Sequence, residues 1–191
     1  HVSNNPVQRW LLHRFNTQLL LYIKNCGRIQ TLLDVGCGEG FSLQSIRTSG
    51  VRAKLVGVDY SDDALALGRK QFPTLRLTKG DIYALRFPDR SMDVVLCTEG
   101  LEHLDKPQQA LAEIIRVSKS YVIVSVPHEP WFILANFFRG KYISRWGNHP
   151  EHIHHWSRIT FVRLLRDAGL EIVHITNPFP WTMVLARVPA V

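Results

Sequence analysis

The sequence predicts a doubly wound α/β domain, and three observations carry that prediction. Apolar runs of strand length alternate with helix-periodic segments. The first run, Thr31 to Val35, ends in the glycine-spaced loop Gly36-Cys37-Gly38-Glu39-Gly40, which opens a helical segment from Phe41 to Thr48. The second, Lys54 to Val58, ends in Asp59. Glycines let a backbone turn sharply and approach a ligand where Cβ atoms would obstruct it, and the helix start behind them offers unpaired N–H groups. Asp59 follows Gly40 by nineteen positions, close to the spacing at which a carboxylate accepts both hydroxyls of a ribose in nucleotide-binding folds. A nucleotide-type cofactor is therefore the first expectation.

The remaining elements follow the same alternation. In Asn5 to Cys26, the positions Leu11, Phe15, Leu19, Tyr22 and Cys26 recur at helical spacing while Arg9, Arg14 and Lys24 lie off that stripe, which predicts an amphipathic helix packed on the domain. Its basic face and Trp10 are also available to a membrane or a substrate. Ser61 is placed to cap a helix running to Gln71, with Asp62 and Asp63 in its first turn and Pro73 beyond its end. Leu75 to Thr78 and Asp93 to Cys97 read as the third and fourth strands, Pro107 to Ser118 as a helix, and Tyr121 to Val126 as a buried fifth strand. Ser157 caps a helix from Arg158 to Ala168, and Leu170 to Thr176 and Trp181 to Val188 close the chain as two further strands. Regularity lapses between Pro127 and Ser157, and an excursion that long in a compact domain reads as a lid. The expected organisation is thus one domain over residues 1–191, with a helical cover at 1–28 and a lid at 127–156.

Composition narrows the setting. A hydrophobic content of 46% over 191 residues argues against disorder and for one sizeable core. The 3 cysteines form no CxxC pair, which fits a reducing, cytoplasmic compartment better than a disulfide framework. Arg, His, Gln or Lys interrupts the long apolar stretches, so a membrane span is not expected, and no cleavable signal pattern stands out. The net charge of +7 suits an acidic partner: a nucleic acid, a phosphorylated or carboxylated small molecule, or an anionic membrane surface.

Four ordered motifs then carry a family resemblance. Asp34-Val35-Gly36-Cys37-Gly38-Glu39-Gly40, Val56-Gly57-Val58-Asp59-Tyr60-Ser61, Gly80-Asp81-Ile82, and Phe87-Pro88-Asp89 leading into Met92-Asp93-Val94-Val95 resemble those of class I S-adenosylmethionine-dependent methyltransferases. A nicotinamide dehydrogenase fits less well, because the loop reads GxGxG rather than GxGxxG. The resemblance implies a Rossmann-like, doubly wound sheet of seven strands in the order 3-2-1-4-5-7-6, with the last strand antiparallel, helices on both faces and the lid after strand 5. It implies S-adenosylmethionine as cofactor and S-adenosylhomocysteine as product. By motif, the loop Gly36 to Gly40, with Cys37 and Gly38, would hold the methionine part, Asp59 the ribose hydroxyls, and Asp81 with Ile82 the adenine, and Asp34 and Tyr60 would also stand on the cofactor side. Thr98 and Glu99 would border the methionine and the acceptor.

The acceptor side begins at Glu99-Gly100-Leu101-Glu102-His103, past the fourth strand, where α/β folds place their chemistry. An oxygen or nitrogen acceptor can need a base, and His103 is the natural candidate. His149, His152, His154 and His155 form a second cluster, from which His152 and His155 are candidates for the same work. The ExxEH arrangement with a His-rich stretch downstream is similar to the metal-binding pattern of small-RNA 2′-O-methyltransferases and to the motif of ubiquinone-pathway O-methyltransferases. On that likeness Glu99, Glu102, His103 and His152 would hold a divalent metal. Many small-molecule methyltransferases carry an EH pair and use no metal, so both alternatives stand.

Bulky apolar residues interleaved with cations from Trp131 to Arg145 suit a lipid-like acceptor with an anionic end, or a peripheral membrane contact. Tyr142 and Trp146 could stack on bases, but the basic positions form no continuous stripe, and nucleic acid fits less well. The expectation is methyl transfer to a small-molecule or lipid-like acceptor, at oxygen. A metal-dependent RNA ribose methyltransferase and a non-catalytic, cofactor-holding subunit are the alternatives.

Overall fold

A computed structural model of the chain describes residues 5–128 and 154–190. The elements are α1 (Pro6–Asn25), β1 (Thr31–Val35), α2 (Phe41–Thr48), β2 (Lys54–Asp59), α3 (Asp62–Gln71), β3 (Arg76–Lys79), β4 (Met92–Thr98), a 3-10 turn (Leu101–His103), α4 (Pro107–Val117), β5 (Ser118–Pro127), α5 (Arg158–Asp167), β6 (Glu171–Thr176) and β7 (Trp181–Arg187). The sheet has the order β3-β2-β1-β4-β5-β7-β6. The first five strands run parallel, and β7 lies antiparallel between β5 and β6. This is the Rossmann-like seven-strand order that the motif resemblance implies.

Both faces of the sheet are covered because successive strand residues point to opposite sides. Leu32, Leu96, Ile123 and Leu185 meet Phe15 and Leu19 of α1, Leu43 and Ile46 of α2, and Leu65 of α3. Leu33, Val95, Val122 and Val184 meet Leu111 and Ile114 of α4 and Phe161 and Leu165 of α5. Each such side chain removed from water contributes roughly 1.5–3 kcal/mol.

Capping fixes where the helices begin. Asn5 Oδ1 accepts the N–H groups of Val7 and Gln8, the Ser61 hydroxyl accepts that of Ala64, and the Ser157 hydroxyl accepts that of Thr160. Of the boundaries that differ from the sequence reading, two have clear local reasons. Leu75 is spent in a turn, its N–H donated to Phe72, so β3 starts at Arg76. Ser118 ends α4 and at once pairs with Met92, so β5 starts three residues before Tyr121, with no connecting loop.

The Phe87-Pro88-Asp89 motif has a structural task. The Arg116 guanidinium donates to the carbonyls of Leu85 and Phe87, to Asp89, and through two nitrogens to Glu113, which in turn accepts the Leu85 N–H. This holds the approach to β4 against α4. The lid expected at 127–156 falls almost wholly outside the described residues. No helix among the described residues is long and apolar enough to cross a membrane.

Gly68 lies on α3, where alanine would ordinarily gain about 1 kcal/mol of helix propensity. A Cβ there would stand 2.5 Å from the Glu39 carbonyl oxygen and 2.7 Å from Leu77. Backbone cannot yield cheaply, so Gly68→Ala is expected to destabilise by about 1–3 kcal/mol. Thermal unfolding followed by circular dichroism should show a fall of several degrees, and a higher melting temperature would mean that propensity wins.

Candidate active site

The carboxyl ends of β1 and β4 open on one cleft of about 860 Å³, and Asp59 at the end of β2 stands outside its lining, joined to it through Gly38. Its floor is Asp34, Gly36, Cys37 and Gly38 of the loop after β1, with Thr98 and Glu99 after β4. Glu39, Phe41, Ser42 and Ser45 form one side, and Gln8, Arg9, Leu12, His13, Phe15 and Asn16 of α1, with Trp181, form the other.

The loop is held from below. Gly36 and Cys37 donate their N–H groups to the Val58 carbonyl at 2.8 and 3.1 Å. Gly38, at φ +52°, donates to Asp59 Oδ2 at 2.7 Å, and a Cβ on it would meet nothing within 4 Å. Gly40 caps α2 in the left-handed region at φ +85°, which L residues rarely adopt. Asp59 Oδ1 also accepts the Ser61 N–H at 2.8 Å, so the carboxylate ties the loop to the start of α3. Each carboxylate oxygen can accept twice, which leaves room for a diol.

Around that centre the other predicted residues take distinct places. Tyr60 is exposed beside Asp59, with the Lys79 ammonium 5.6 Å from its ring centroid. Gly80 donates its N–H to the Asp59 carbonyl, bringing the loop after β3 alongside. There Asp81 accepts the Tyr83 N–H at 2.8 Å, and Ile82 is half-buried against the core. Burial, reinforced by neighbouring Asp34 and Asp59, pushes the Cys37 thiol up, so it stays protonated at neutral pH and acts as an apolar wall.

Asp34 is the most informative of these groups. It is fully buried, its Oδ1 meets no hydrogen-bond partner among the described residues, and burial with the nearby Asp59 charge pushes its pKa up to about 7. A buried acceptor without a donor is costly unless a ligand completes it. Open space above Gly38 and an unsatisfied acceptor beneath it fit a ligand that carries N–H donors and lies along the loop.

Glu99 adopts φ +56° at the end of β4. Its Oε1 accepts the Ser125 hydroxyl at 3.2 Å and its Oε2 the Trp181 indole N–H at 2.5 Å. Burial first, and the Glu102 charge second, hold its pKa well above the ordinary carboxylate range. Glu102 is itself buried on the 3-10 turn, with Oε1 4.0 Å from His103 Nε2. The chain returns to this turn at His154, whose N–H donates to the Glu102 carbonyl at 3.2 Å and whose ring stacks on Trp156. His155 is exposed, and His152 lies outside the described residues. Among the described residues no three His, Cys, Asp or Glu side chains gather closely enough to hold a metal ion.

Residues 33–125 match the methyltransferase domain family. With the strand order already seen, this decides the assignment. Residues 33–125, just under half of the chain, carry a methyltransferase domain of the class I, S-adenosylmethionine-dependent kind. It is 37% identical to the demethylmenaquinone methyltransferase of Renibacterium salmoninarum over 90 residues, 47% of this chain and 37% of that protein. It is 26% identical to the ubiquinone biosynthesis O-methyltransferase of Neisseria meningitidis over 178 residues, 84% of this chain and 73% of that protein. The chain spans about half or less of the length of the first curated relatives it matches. The crystal structure of magnesium protoporphyrin IX methyltransferase from Synechocystis, with bound SAH, superposes with a TM-score of 0.73 at 15% identity, covering 99% of this chain and 90% of that one, a likeness of fold alone.

The sequence reading offered the basic face of α1, Arg9 included, to a membrane or a substrate, but did not single out Gln8, His13 and Asn16, which line the cleft beside it. Arg9, His13 and Asn16 stand four and three residues apart with Gln8 next to Arg9, a polar stripe beside the apolar one, which is the signal that a second face of α1 also has a task. It also missed Trp181, which reads in sequence merely as the first residue of a strand.

Asp34 makes stability depend on pH. The folded state keeps its proton to about 7 while the unfolded chain releases it near 3.8. Its favourable contribution is therefore complete below the lower value and is lost as pH rises through the upper one. Asp34→Asn should flatten the fall in melting temperature across that window and stabilise the protein at pH 8. An unchanged slope would place the Asp34 proton elsewhere.

Proposed function

We propose that the chain transfers a methyl group from S-adenosylmethionine to an oxygen of a small, lipid-like acceptor, working in contact with a membrane surface. The observation that carries the donor half is the buried Asp34 Oδ1, which has no hydrogen-bond partner among the described residues, beside a loop with open space at Gly36 and Gly38. In this reading Gly36, Cys37, Gly38 and Gly40 line the methionine part of the donor, Asp34 accepts from its amino group, Asp59 accepts the ribose hydroxyls, and Asp81 and Ile82 border the base. Tyr60 offers a free ring face beside them. The donor supplies a methyl group already activated on a sulfonium, so positioning is the protein's main task.

Removing a proton from the acceptor falls to His103, whose Nε2 stands 4.0 Å from the buried Glu102 Oε1. Glu99, with both oxygens occupied by Ser125 and Trp181, shapes the wall between donor and acceptor. Likeness to the Neisseria O-methyltransferase supports an oxygen acceptor, and the quinone-pathway relatives support a hydrophobic one.

Two variants separate donor from acceptor chemistry. Gly38→Arg fills the space above the loop, and calorimetry should show S-adenosylmethionine affinity lowered at least about 100-fold. His103→Ala should leave that affinity within about twofold and lower kcat by about 10²–10⁴ on a hydroxylated quinone acceptor. Full donor affinity in Gly38→Arg would remove the cofactor assignment, and full turnover in His103→Ala would remove the base. Affinity of the parent protein should also rise from pH 6 to pH 8 as Asp34 ionises, and Asp34→Asn should abolish that rise.

A further inference from the structure

The outward face of α1 has no partner among the described residues. Phe15, Leu19, Tyr22 and Ile23 are buried, whereas Val7, Trp10 and Leu21 are 63%, 54% and 48% exposed. Val7, Trp10, Arg14 and Leu21 stand three, four and seven residues apart and so share one side of the helix, with Lys24 one turn past Leu21. The Arg14 guanidinium lies 4.9 Å from the Trp10 ring centroid. An apolar row bordered by cations is how an interfacial helix presents itself to a bilayer, with the indole at headgroup depth.

Charge settles the choice of partner. The chain carries no Asp or Glu before Asp34, while Arg9, Arg14, Lys24 and Arg28 all precede it. A face shared by two copies of the chain would bring Arg14 and Lys24 of each against like charges, and three apolar side chains fall short of the roughly 800 Å² per partner of a stable interface. An anionic lipid surface pairs those cations and receives the apolar row.

The helix also stands firmly. Tyr22 donates its hydroxyl proton to Thr176 at 3.0 Å, and Phe15 packs edge-on to Trp181 at 5.0 Å. Its inner face is a wall of the cleft.

We propose that α1 docks the protein on anionic phospholipid through Val7, Trp10, Arg14, Leu21 and Lys24, so that the cleft behind it opens beside the bilayer. The position of the cleft's acceptor side rests on the methyl-transfer reading, but the docking itself is measured without turnover.

The test is sedimentation of the full chain with vesicles of phosphatidylglycerol and phosphatidylcholine in equal parts, against phosphatidylcholine alone. Partitioning should be at least about tenfold stronger on the anionic vesicles and should weaken in high salt. Trp10→Ser with Leu21→Ser should lower it about tenfold or more at unchanged circular dichroism, and Arg14→Glu with Lys24→Glu should abolish the anionic preference. Equal binding to both vesicle types, no binding, or indifference to both pairs of substitutions overturns the proposal. So does a concentration-dependent dimer that Trp10→Ser dissolves, which would give the face to a second copy. Donor affinity measured without vesicles is a separate readout, so loss of S-adenosylmethionine binding would sink the methyltransferase reading and leave the docking result intact.

Discussion

The bond from the Gly38 N–H to the Asp59 carboxylate is the constraint on which the site depends. Two parallel strands end side by side, and the loop after the first must turn back over the sheet without leaving its N–H groups unpaired in a buried place. Val58 takes two of them through its carbonyl, and Asp59 takes the third and also the first N–H of the turn into α3. One carboxylate therefore fixes the loop, the start of a helix and the distance between them. That is a reason for an aspartate here which precedes any ligand, and it means that removing Asp59 disturbs architecture and binding together.

A negative charge at that point has a consequence for its neighbour. Asp34 is buried one strand away, and Asp59 adds to the desolvation that already disfavours its ionised form. The pair cannot be fully charged at low cost until a donor of hydrogen bonds arrives. The fold thus carries a buried acidic group which a cationic or N–H-bearing ligand would relieve, and affinity draws on strain already present in the empty protein. Glu99 repeats the arrangement on β4, where Ser125 and Trp181 satisfy both oxygens, so its burial is compensated internally.

The parts legible in the sequence are those written in local periodicity. Leu32-Leu33 and Val94-Val95 alternate between the two faces of a buried sheet, and apolar runs of that kind announce parallel strands. The glycines after Val35 and the aspartate after Val58 are short-range signals fixed by turn chemistry. Contacts between distant segments were not legible. Trp181 reaches Glu99 across 82 positions of chain, and Tyr22 reaches Thr176 across 154. No pattern along the sequence announces such a meeting, because it depends on how α1 and β7 are laid against the sheet. The early start of β5 escaped notice for a related reason, since Ser118 serves α4 and the β4 pairing at once.

The placement of α1 ties these points together. Its buried stripe follows from helical spacing alone, but its remaining two faces have different neighbours, and only the packed structure distinguishes them. Phe15 against Trp181 fixes the rotation of the helix about its axis. That rotation turns Gln8, Arg9, His13 and Asn16 toward the cleft and leaves Val7, Trp10 and Leu21 in solvent. The same Trp181 holds Glu99. Phe15 and Trp181 thus link the helix to the wall of the cleft through one ring contact and one hydrogen bond. One helix therefore has the outer surface on one side and the cleft on the other.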